Sequence, residues 1–246
     1  VYMAKPIYGG WVTYTAHLSL KNDYPIYKIG KRTEKNKRDY GYNCKYQNLV
    51  IEDLMKKENL MITALDKHYY EYLQYFPKDT ILVIHDPTEL KNKSNPLIRD
   101  GLIDRFKIIT IRQTVKDYLM KTYKFESQFL THPFYQYEKN KPSMNNYAVS
   151  ISRIDFDKNI DIILKCNNLI DEKIKIFGKE NRLYVHHKLK NLKFHDYWYG
   201  SYPKNLPMTY TIAGIEKDIL KDCKFMVDLS TIKDDGGGTQ YTFLEA

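Results

Sequence analysis

Short apolar runs alternate with segments of helical period along most of the chain, and this alternation constrains the fold more than any other feature. A strand-like run at residues 1–4 leads through a Gly9-Gly10 turn into a segment with Val12, Ala16 and Leu20 on one helical face. Alternating strands and helices are typical of a parallel sheet covered by helices. The sequence therefore predicts an α/β protein.

A polar segment at residues 135–146 divides this pattern in two. It contains one proline, has no hydrophobic period and is typical of a linker. We therefore predict one α/β domain at residues 1–134 and a second at residues 147–246. The predicted strands of the first domain lie at residues 1–4, 26–29, 60–65, 81–84, 107–111 and 127–130, with helices at 51–57, 67–76 and 114–123.

The pattern restarts after the linker. Predicted strands at 147–151, 173–177, near Phe194 and at 225–229 alternate with helices at 157–169, 182–192 and 215–222. A glycine-rich turn then leads into a last helix near Gln240, which is cut after Ala246. Because a parallel-sheet domain normally continues with more strands, we expect residues to be missing, most of all at the C-terminus.

The composition narrows the class of protein. The formal net charge of the 246 residues is +9, which suits nucleic acid, an anionic membrane surface or nucleotide phosphates as partners. The alternative is that the abundance of lysine reflects an AT-rich coding genome. The three cysteines are far apart, which favours a reducing compartment over a disulfide framework. No apolar run is long enough to span a bilayer, and we expect a cytoplasmic protein.

One candidate site is the segment SISRIDFDKN at residues 150–159. Arg153 follows a predicted strand and Lys158 lies where the next helix begins, so both charges suit a diphosphate. Two alternatives stay open. Arg153 pairs with Asp155 or Asp157 as a solvated ion pair, or the two aspartates form a D-x-D metal site.

Glycine-rich turns supply further candidates for anion binding. Gly9 and Gly10 precede a helix, where backbone N–H groups and the helix dipole favour a phosphate. The segment DDGGGTQYTFLEA at residues 234–246 offers a second backbone nest. The candidate donor-binding residues of this segment are Gly237, Gly238, Thr239 and Glu245. A further candidate is Gly178, which follows the predicted strand at 173–177.

A His-Asp pair follows one predicted strand of the first domain. His85 and Asp86 end the apolar strand at 81–84, where α/β sheets place their ligands. His85 suits a hydrogen bond to a sugar hydroxyl, and Asp86 suits a base or an orienting group. The motifs of Walker A, H-E-x-x-H, G-x-S-x-G and C-x-x-C are absent.

In this order the features resemble the retaining glycosyltransferases of the two-domain GT-B fold, and family four in particular. The similarity is specific over SISRIDFDKN and over FLEA after the glycine turn. It implies two Rossmann-like domains whose parallel sheets face each other across a cleft. It also implies that Arg153 and Lys158, assisted by Gly10, bind the diphosphate of a UDP-sugar without a metal ion. His85 matches the active-site histidine of that family.

The chain departs from the family pattern at one position. Glu245 matches the second glutamate of the E-x7-E motif, which holds the donor ribose, whereas the first glutamate falls on Gly237. The resemblance therefore implies that Asp235 replaces the missing carboxylate or that the donor sugar is unusual.

The segment YTFLEA and the His-Asp pair also resemble phage enzymes that glycosylate hydroxymethylcytosine in DNA. This similarity implies a DNA acceptor and a location in the host cytoplasm, and the basic loop at residues 31–38 would offer a surface for DNA. The alternatives are a glycan or lipid-linked saccharide as acceptor, a non-catalytic DNA-binding protein on the same fold, or a single-domain enzyme that uses the D-x-D segment and Mn²⁺.

Overall fold

The computed structural model describes residues 2–3, 10–29, 44–63, 67–86, 90, 95–135, 147–200, 219, 223–231 and 244. The chain divides into two compact units. The N-terminal unit contains the described residues up to Tyr135, and the C-terminal unit contains those from Tyr147 onward. The linker predicted at 135–146 lies outside the described residues, apart from Tyr135, and so do the loop at 31–38 and most of the helix at 215–222.

The N-terminal unit is built on a seven-stranded sheet in which every neighbouring pair is parallel. Its strands are β1 (Tyr2–Met3), β2 (Ile26–Ile29), β3 (Tyr46–Leu49), β4 (Met61–Ile62), β5 (Ile81–Ile84), β6 (Lys107–Thr110) and β7 (Gln128–Phe129). They lie side by side in the order β3-β2-β1-β4-β5-β6-β7. The carboxyl ends of β4 to β7 therefore meet along one edge of the sheet.

Helices connect these strands, as a parallel sheet requires. They are α1 (Gly10–Asn22), α2 (Ile51–Leu54), α3 (Pro96–Arg99) and α4 (Gln113–Tyr123), with 3₁₀ helices at Lys67–Tyr75 and Leu102–Arg105. The apolar core packs between α2, α4 and one face of the sheet, where Leu82 and Ile84 of β5 point. Val83 is buried on the opposite face, which is typical of a parallel sheet covered on both sides.

Helix α1 is buried more completely than its sequence predicts. The sequence predicts one apolar face, but every residue from 13 to 19 is buried, including threonine, histidine and serine side chains. Two of these hydroxyls have hydrogen-bond partners inside the protein. The hydroxyls of Thr15 and Thr63 lie 2.6 Å apart, and Ser19 donates to the carbonyl of Tyr24 at 2.5 Å. Such bonds make the burial of polar side chains tolerable.

The C-terminal unit contains a three-stranded parallel sheet in the order β10-β8-β9. Its elements are β8 (Ala148–Ile151), α5 (Ile160–Asn167), β9 (Ile174–Phe177), α6 (Arg182–Tyr184) with a π-helical turn at Val185–Leu189, α7 (Phe194–Tyr197) and β10 (Phe225–Met226). The buried side chain of Asn167 joins α5 to β9, because its amide donates to the carbonyl of Ile174 and accepts from the backbone N–H of Ile174. The predicted α/β fold with parallel sheets is confirmed.

The structure differs from the sequence prediction at Phe194 and at β3. The segment at Phe194 is the helix α7 rather than a strand; only Trp198, the residue after it, forms a single parallel bridge to Ile176. Strand β3 was not predicted, because its sequence YQNL carries no apolar alternation and its register comes from pairing with β2. Within the described residues no helix is long and apolar enough to cross a membrane.

Candidate functional site

The loop between β8 and α5 holds the two basic residues that the sequence predicts to bind a diphosphate. Its first residues continue the sheet, because Ser152 N–H donates to the Phe177 carbonyl at 3.1 Å and Ile154 N–H donates to the Lys179 carbonyl at 2.9 Å. Lys158 follows in a turn closed by its own N–H bonding to the Asp155 carbonyl at 3.0 Å. We call residues 152–159 the β8–α5 loop.

The segment after β10 braces this loop. The ammonium of Lys158 donates to the Ser230 hydroxyl at 2.7 Å. Asn159 donates from Nδ2 to the Leu229 carbonyl at 2.7 Å and to the Thr231 hydroxyl at 2.9 Å. Thr231 N–H in turn donates to the Asp157 carbonyl at 2.8 Å. Lys158, half-buried, is therefore held in one orientation by a part of the chain about seventy residues away.

Arg153 is placed differently. Its side chain is 66% exposed and faces two carboxylates, with Nη1 3.4 Å from Asp155 Oδ2 and Nη2 3.7 Å from Asp157 Oδ2. The ion pairs that the sequence left as an alternative are therefore present. Because the arginine itself is exposed and both separations are long, these pairs contribute little to stability. An anion that binds more strongly could therefore replace these two carboxylates as the partner of the Arg153 guanidinium.

Asp155 also has a structural role in the loop. Its Oδ1 accepts from the backbone N–H of Phe156 at 2.8 Å and from Nδ2 of Asn181 at 3.0 Å. In the part of the chain that the structure describes, no group of three or more histidine, cysteine, aspartate or glutamate side chains is arranged to hold a metal ion. The first carboxylate of the D-x-D segment therefore stabilises the conformation of the loop.

Gly178 lies at the end of β9, where two chain segments approach closely. Its φ is +144°, and a Cβ at this position would lie 1.6 Å from the carbonyl oxygen of Ser152. Its N–H donates to the Gly200 carbonyl at 3.1 Å, and its own carbonyl accepts from the Trp198 indole at 3.0 Å. This close packing alone explains why the position is a glycine. The role of Gly178 in donor binding stays a prediction.

In the N-terminal unit, polar side chains gather at the carboxyl ends of four adjacent strands. Thr63 follows β4, His85 and Asp86 follow β5, Arg112 follows β6, and His132 lies shortly after β7. Arg112 Nη1 is 3.6 Å from Asp86 Oδ2, and both side chains are largely buried. We call these five residues the strand-end cluster.

His85 is the most buried member of the cluster, with 5% of its surface exposed. Its Nε2 lies 2.6 Å from the Thr63 carbonyl. A carbonyl only accepts, so Nε2 carries the proton and Nδ1 is the acceptor. Burial lowers the pKa of His85 to about 4; the hydrogen bond to Thr63 opposes this shift, and the charges of His132 and Arg112 support it. His85 is therefore neutral near pH 7, which suits a hydrogen-bonding group rather than a proton donor.

Ring contacts join helix α1 to two histidines of the cluster and to Phe134. The Tyr14 ring lies edge-on to His85, with centroids 5.0 Å apart, and edge-on to His132 at 6.2 Å. Burial raises the pKa of Tyr14 to about 12. One turn further along α1, His17 stacks on Phe134 at 5.0 Å and accepts from the Tyr135 N–H through Nδ1. Burial lowers the pKa of His17 to about 4.

Acidification is expected to destabilise the N-terminal unit through these two histidines. Their folded-state pKa values are about 4, whereas an unfolded histidine titrates near pH 6.5. Between these values the unfolded chain binds more protons than the folded chain, so the free energy of unfolding falls as the pH falls. His17→Gln and His85→Gln, each alone, should flatten the dependence of the urea midpoint on pH between about 6.5 and 4.

The matched control is His187→Gln, because His187 is exposed in the C-terminal unit. Carboxylates titrate in all of these proteins, so the difference in slope isolates the buried histidines. Equal slopes for wild type, both single variants and the control would contradict the effect.

Of the residues predicted from the sequence, the structure describes six. His85 and Asp86 lie together in the N-terminal unit, where Gly10 begins α1. Arg153, Lys158 and Gly178 lie around the carboxyl ends of β8 and β9 in the C-terminal unit. The predicted residues Gly9, Gly237, Gly238, Thr239 and Glu245 lie outside the described part of the chain.

Sequence reasoning did not identify Arg112 and His132. Both carry a signal that was available, since Arg112 comes directly after the strand predicted at 107–111 and His132 comes two residues after the strand predicted at 127–130. Polar residues at the ends of parallel strands gather at one edge of the sheet.

Known structures share this fold. An α-glucosyltransferase in complex with UDP and a 13-mer DNA containing a central A:G mismatch is similar with a TM-score of 0.62 and 12% identity, over 99% of this chain and 75% of that chain. HepE from Anabaena, in complex with UDP and glucose, is similar with a TM-score of 0.58 and 10% identity, over 95% of this chain and 75% of that one. These similarities confirm that the chain has the GT-B glycosyltransferase fold. No known sequence family and no curated protein matches the chain.

Proposed function

We propose that this protein is a glycosyltransferase that moves a sugar from a UDP-sugar to an acceptor. One observation supports this most strongly: nearly the whole chain shares the glycosyltransferase fold of two proteins that were solved with UDP bound. The braced β8–α5 loop adds the chemistry, because it presents Arg153 and Lys158 where a diphosphate can bind.

In the proposed reaction, Lys158 and Arg153 stabilise the negative charge that develops on the diphosphate as the bond to the sugar breaks. Fixed cations are most effective when they need no reorientation during the reaction, and the contact of Lys158 with Ser230 supplies that fixed position. Gly10 and the segment that contains Gly237, Gly238 and Thr239 assist in binding the phosphates, and Glu245 holds the ribose. We propose that transfer retains the anomeric configuration and requires no metal ion.

On the acceptor side, the strand-end cluster supplies the polar groups. Neutral His85 hydrogen-bonds a sugar hydroxyl, which its lowered pKa allows near pH 7. Asp86, held by Arg112, or the leaving phosphate itself takes the proton from the acceptor hydroxyl. We propose a hydroxymethylated base of DNA as the acceptor, which the net charge of +9 favours. The alternative acceptor is a glycan or a lipid-linked saccharide.

Thermal unfolding in the presence of nucleotide sugars tests the donor assignment. A ligand that binds only the folded protein at about 100 times its Kd raises the free energy of unfolding by about 2.7 kcal/mol. UDP and UDP-sugars are expected to raise the Tm by several degrees, whereas GDP- and CMP-sugars are not. Arg153→Ala should reduce the shift and Lys165→Ala, an exposed lysine of α5 that already pairs with Asp161, should keep it. A protein that binds DNA but neither binds nor consumes any nucleotide sugar would contradict the proposal.

A further inference from the structure

A groove of about 510 Å³ lies on the surface of the C-terminal unit, between α6, the π-helical turn and α7. Its floor is apolar, because Leu189 and Phe194 are buried beneath it. The rim carries three cationic side chains from different turns, Arg182, Lys190 and Lys193. The groove thus places three basic residues around an apolar floor.

Some surface lysines of this protein already face a carboxylate, and the groove cations, within the described part of the chain, do not. Lys45, Lys165 and Lys224 each lie within 3.4 Å of a carboxylate oxygen. By contrast, among the residues that the structure describes, no carboxylate lies within 4.0 Å of the charged nitrogens of the three groove cations. Unpaired cations at neighbouring positions repel one another, and an anionic ligand would relieve that repulsion.

One end of the groove adjoins the β8–α5 loop. Glu180, at this end of the groove, forms a parallel bridge with Ile154 of the loop. Asn181, the next residue, donates to Asp155 at 3.0 Å and also caps α6 by accepting from the N–H groups of Leu183 and Tyr184. A chain of phosphates lying along the groove would therefore lead towards the residues proposed to bind the donor.

We propose that this groove binds the phosphodiester backbone of DNA and thereby positions the acceptor strand. The role in positioning an acceptor rests on the proposed function, whereas DNA binding depends only on the groove. The rim also carries Glu180 and Asp196. The three cations outnumber these two carboxylates, and the resulting small excess of positive charge suits a ligand with single, spaced charges better than a compact multivalent anion. Backbone contacts of this kind fix position and carry no sequence information.

Salt-dependent binding of a short fluorescent DNA duplex tests the groove. The triple variant Arg182→Gln, Lys190→Gln and Lys193→Gln should lose about three phosphate contacts. Each contact contributes about 0.9 to the slope of log affinity against log salt concentration. Between about 50 and 200 mM salt, the affinity of the wild type should therefore fall about 40-fold further than that of the variant.

A second triple variant, Lys45→Gln, Lys165→Gln and Lys224→Gln, removes the same formal charge from lysines that already face carboxylates. It should keep the wild-type slope. Equal losses in the two variants would show a general charge effect and overturn the groove. Failure of the wild type to bind DNA would also overturn it. Binding to vesicles of anionic lipid that is lost in the groove variant to the same degree as DNA binding would overturn it as well.

The UDP-induced rise in Tm, measured on the same proteins, separates this inference from the proposed function. The groove variant should keep the rise, because none of its substitutions lies in the β8–α5 loop. A wild type that responds to UDP but does not bind DNA would refute the groove alone. A protein that binds DNA through the groove but responds to no nucleotide sugar would refute the glycosyltransferase instead.

Discussion

Lys158→Ala is expected to lower kcat for transfer from a UDP-sugar by about 100- to 1000-fold, the usual cost of removing one fixed group that stabilises developing charge. Lys158 is half-buried and its ammonium lies 2.7 Å from the Ser230 hydroxyl. An exposed cation would have to move into this position before it could stabilise the same charge. The measurement is the steady-state release of UDP. Because the charge develops during the reaction, kcat should fall more than the affinity for UDP.

Two control variants separate chemistry from folding. Lys165→Ala, on the helix that follows the loop, removes an exposed lysine of the same unit and should leave kcat unchanged. Ser230→Ala removes the brace but keeps the cation, so its loss of activity should be much smaller than that of Lys158→Ala. Turnover by Lys158→Ala within twofold of the wild type, with any donor that the wild type accepts, would remove Lys158 from the reaction.

Gly178→Ala should destabilise the C-terminal unit by about 4 kcal/mol or more, a magnitude that only severe overlap or strain produces. The added Cβ would lie 1.6 Å from the backbone carbonyl oxygen of Ser152, and a backbone atom cannot move aside as a flexible side chain does. The φ of +144° is also unfavourable for alanine. The change should appear as a lower urea midpoint for the unfolding of this unit.

Gly101→Ala is the matched control. Gly101 also has a positive φ, +63°, but a Cβ there would meet no atom within 4 Å. Its cost should therefore be only that of the left-handed backbone, about 1 kcal/mol. If Gly178→Ala and Gly101→Ala shifted their midpoints equally, the close approach to Ser152 would not be what requires glycine.

Most of the central strands could be predicted from the sequence because their apolar runs are short and bounded by polar residues. The strands at Ile26–Ile29 and Ile81–Ile84 have the predicted limits. Strand β3 could not be predicted, because Gln47 and Asn48 are exposed at the sheet edge and only pairing with β2 makes the segment a strand. The segment at Phe194 was misassigned, because one buried aromatic residue suits a helix as well as a strand.

The candidate site was predictable to the extent that its residues follow strands. The positions of His85, Asp86 and Arg153 after their strands needed only the apolar pattern and the rule that parallel strands end at one edge. The partners of these residues were not predictable. Nothing local in the sequence indicates that Ser230 holds Lys158, that Thr63 fixes the tautomer of His85, or that α1 is buried on every side. These contacts depend on residues far apart in the chain.

We propose that this protein transfers a sugar from a UDP-sugar to DNA. The most direct measurement incubates it with UDP-glucose and a duplex that contains hydroxymethylcytosine, followed by mass spectrometry of the DNA and quantification of released UDP. We predict that the DNA gains the mass of one hexosyl residue, a hexose less one water, for each UDP released, and that Lys158→Ala abolishes most of both signals. DNA of unchanged mass would contradict transfer to DNA, and the absence of UDP release from every UDP-sugar tested would contradict the glycosyltransferase as well.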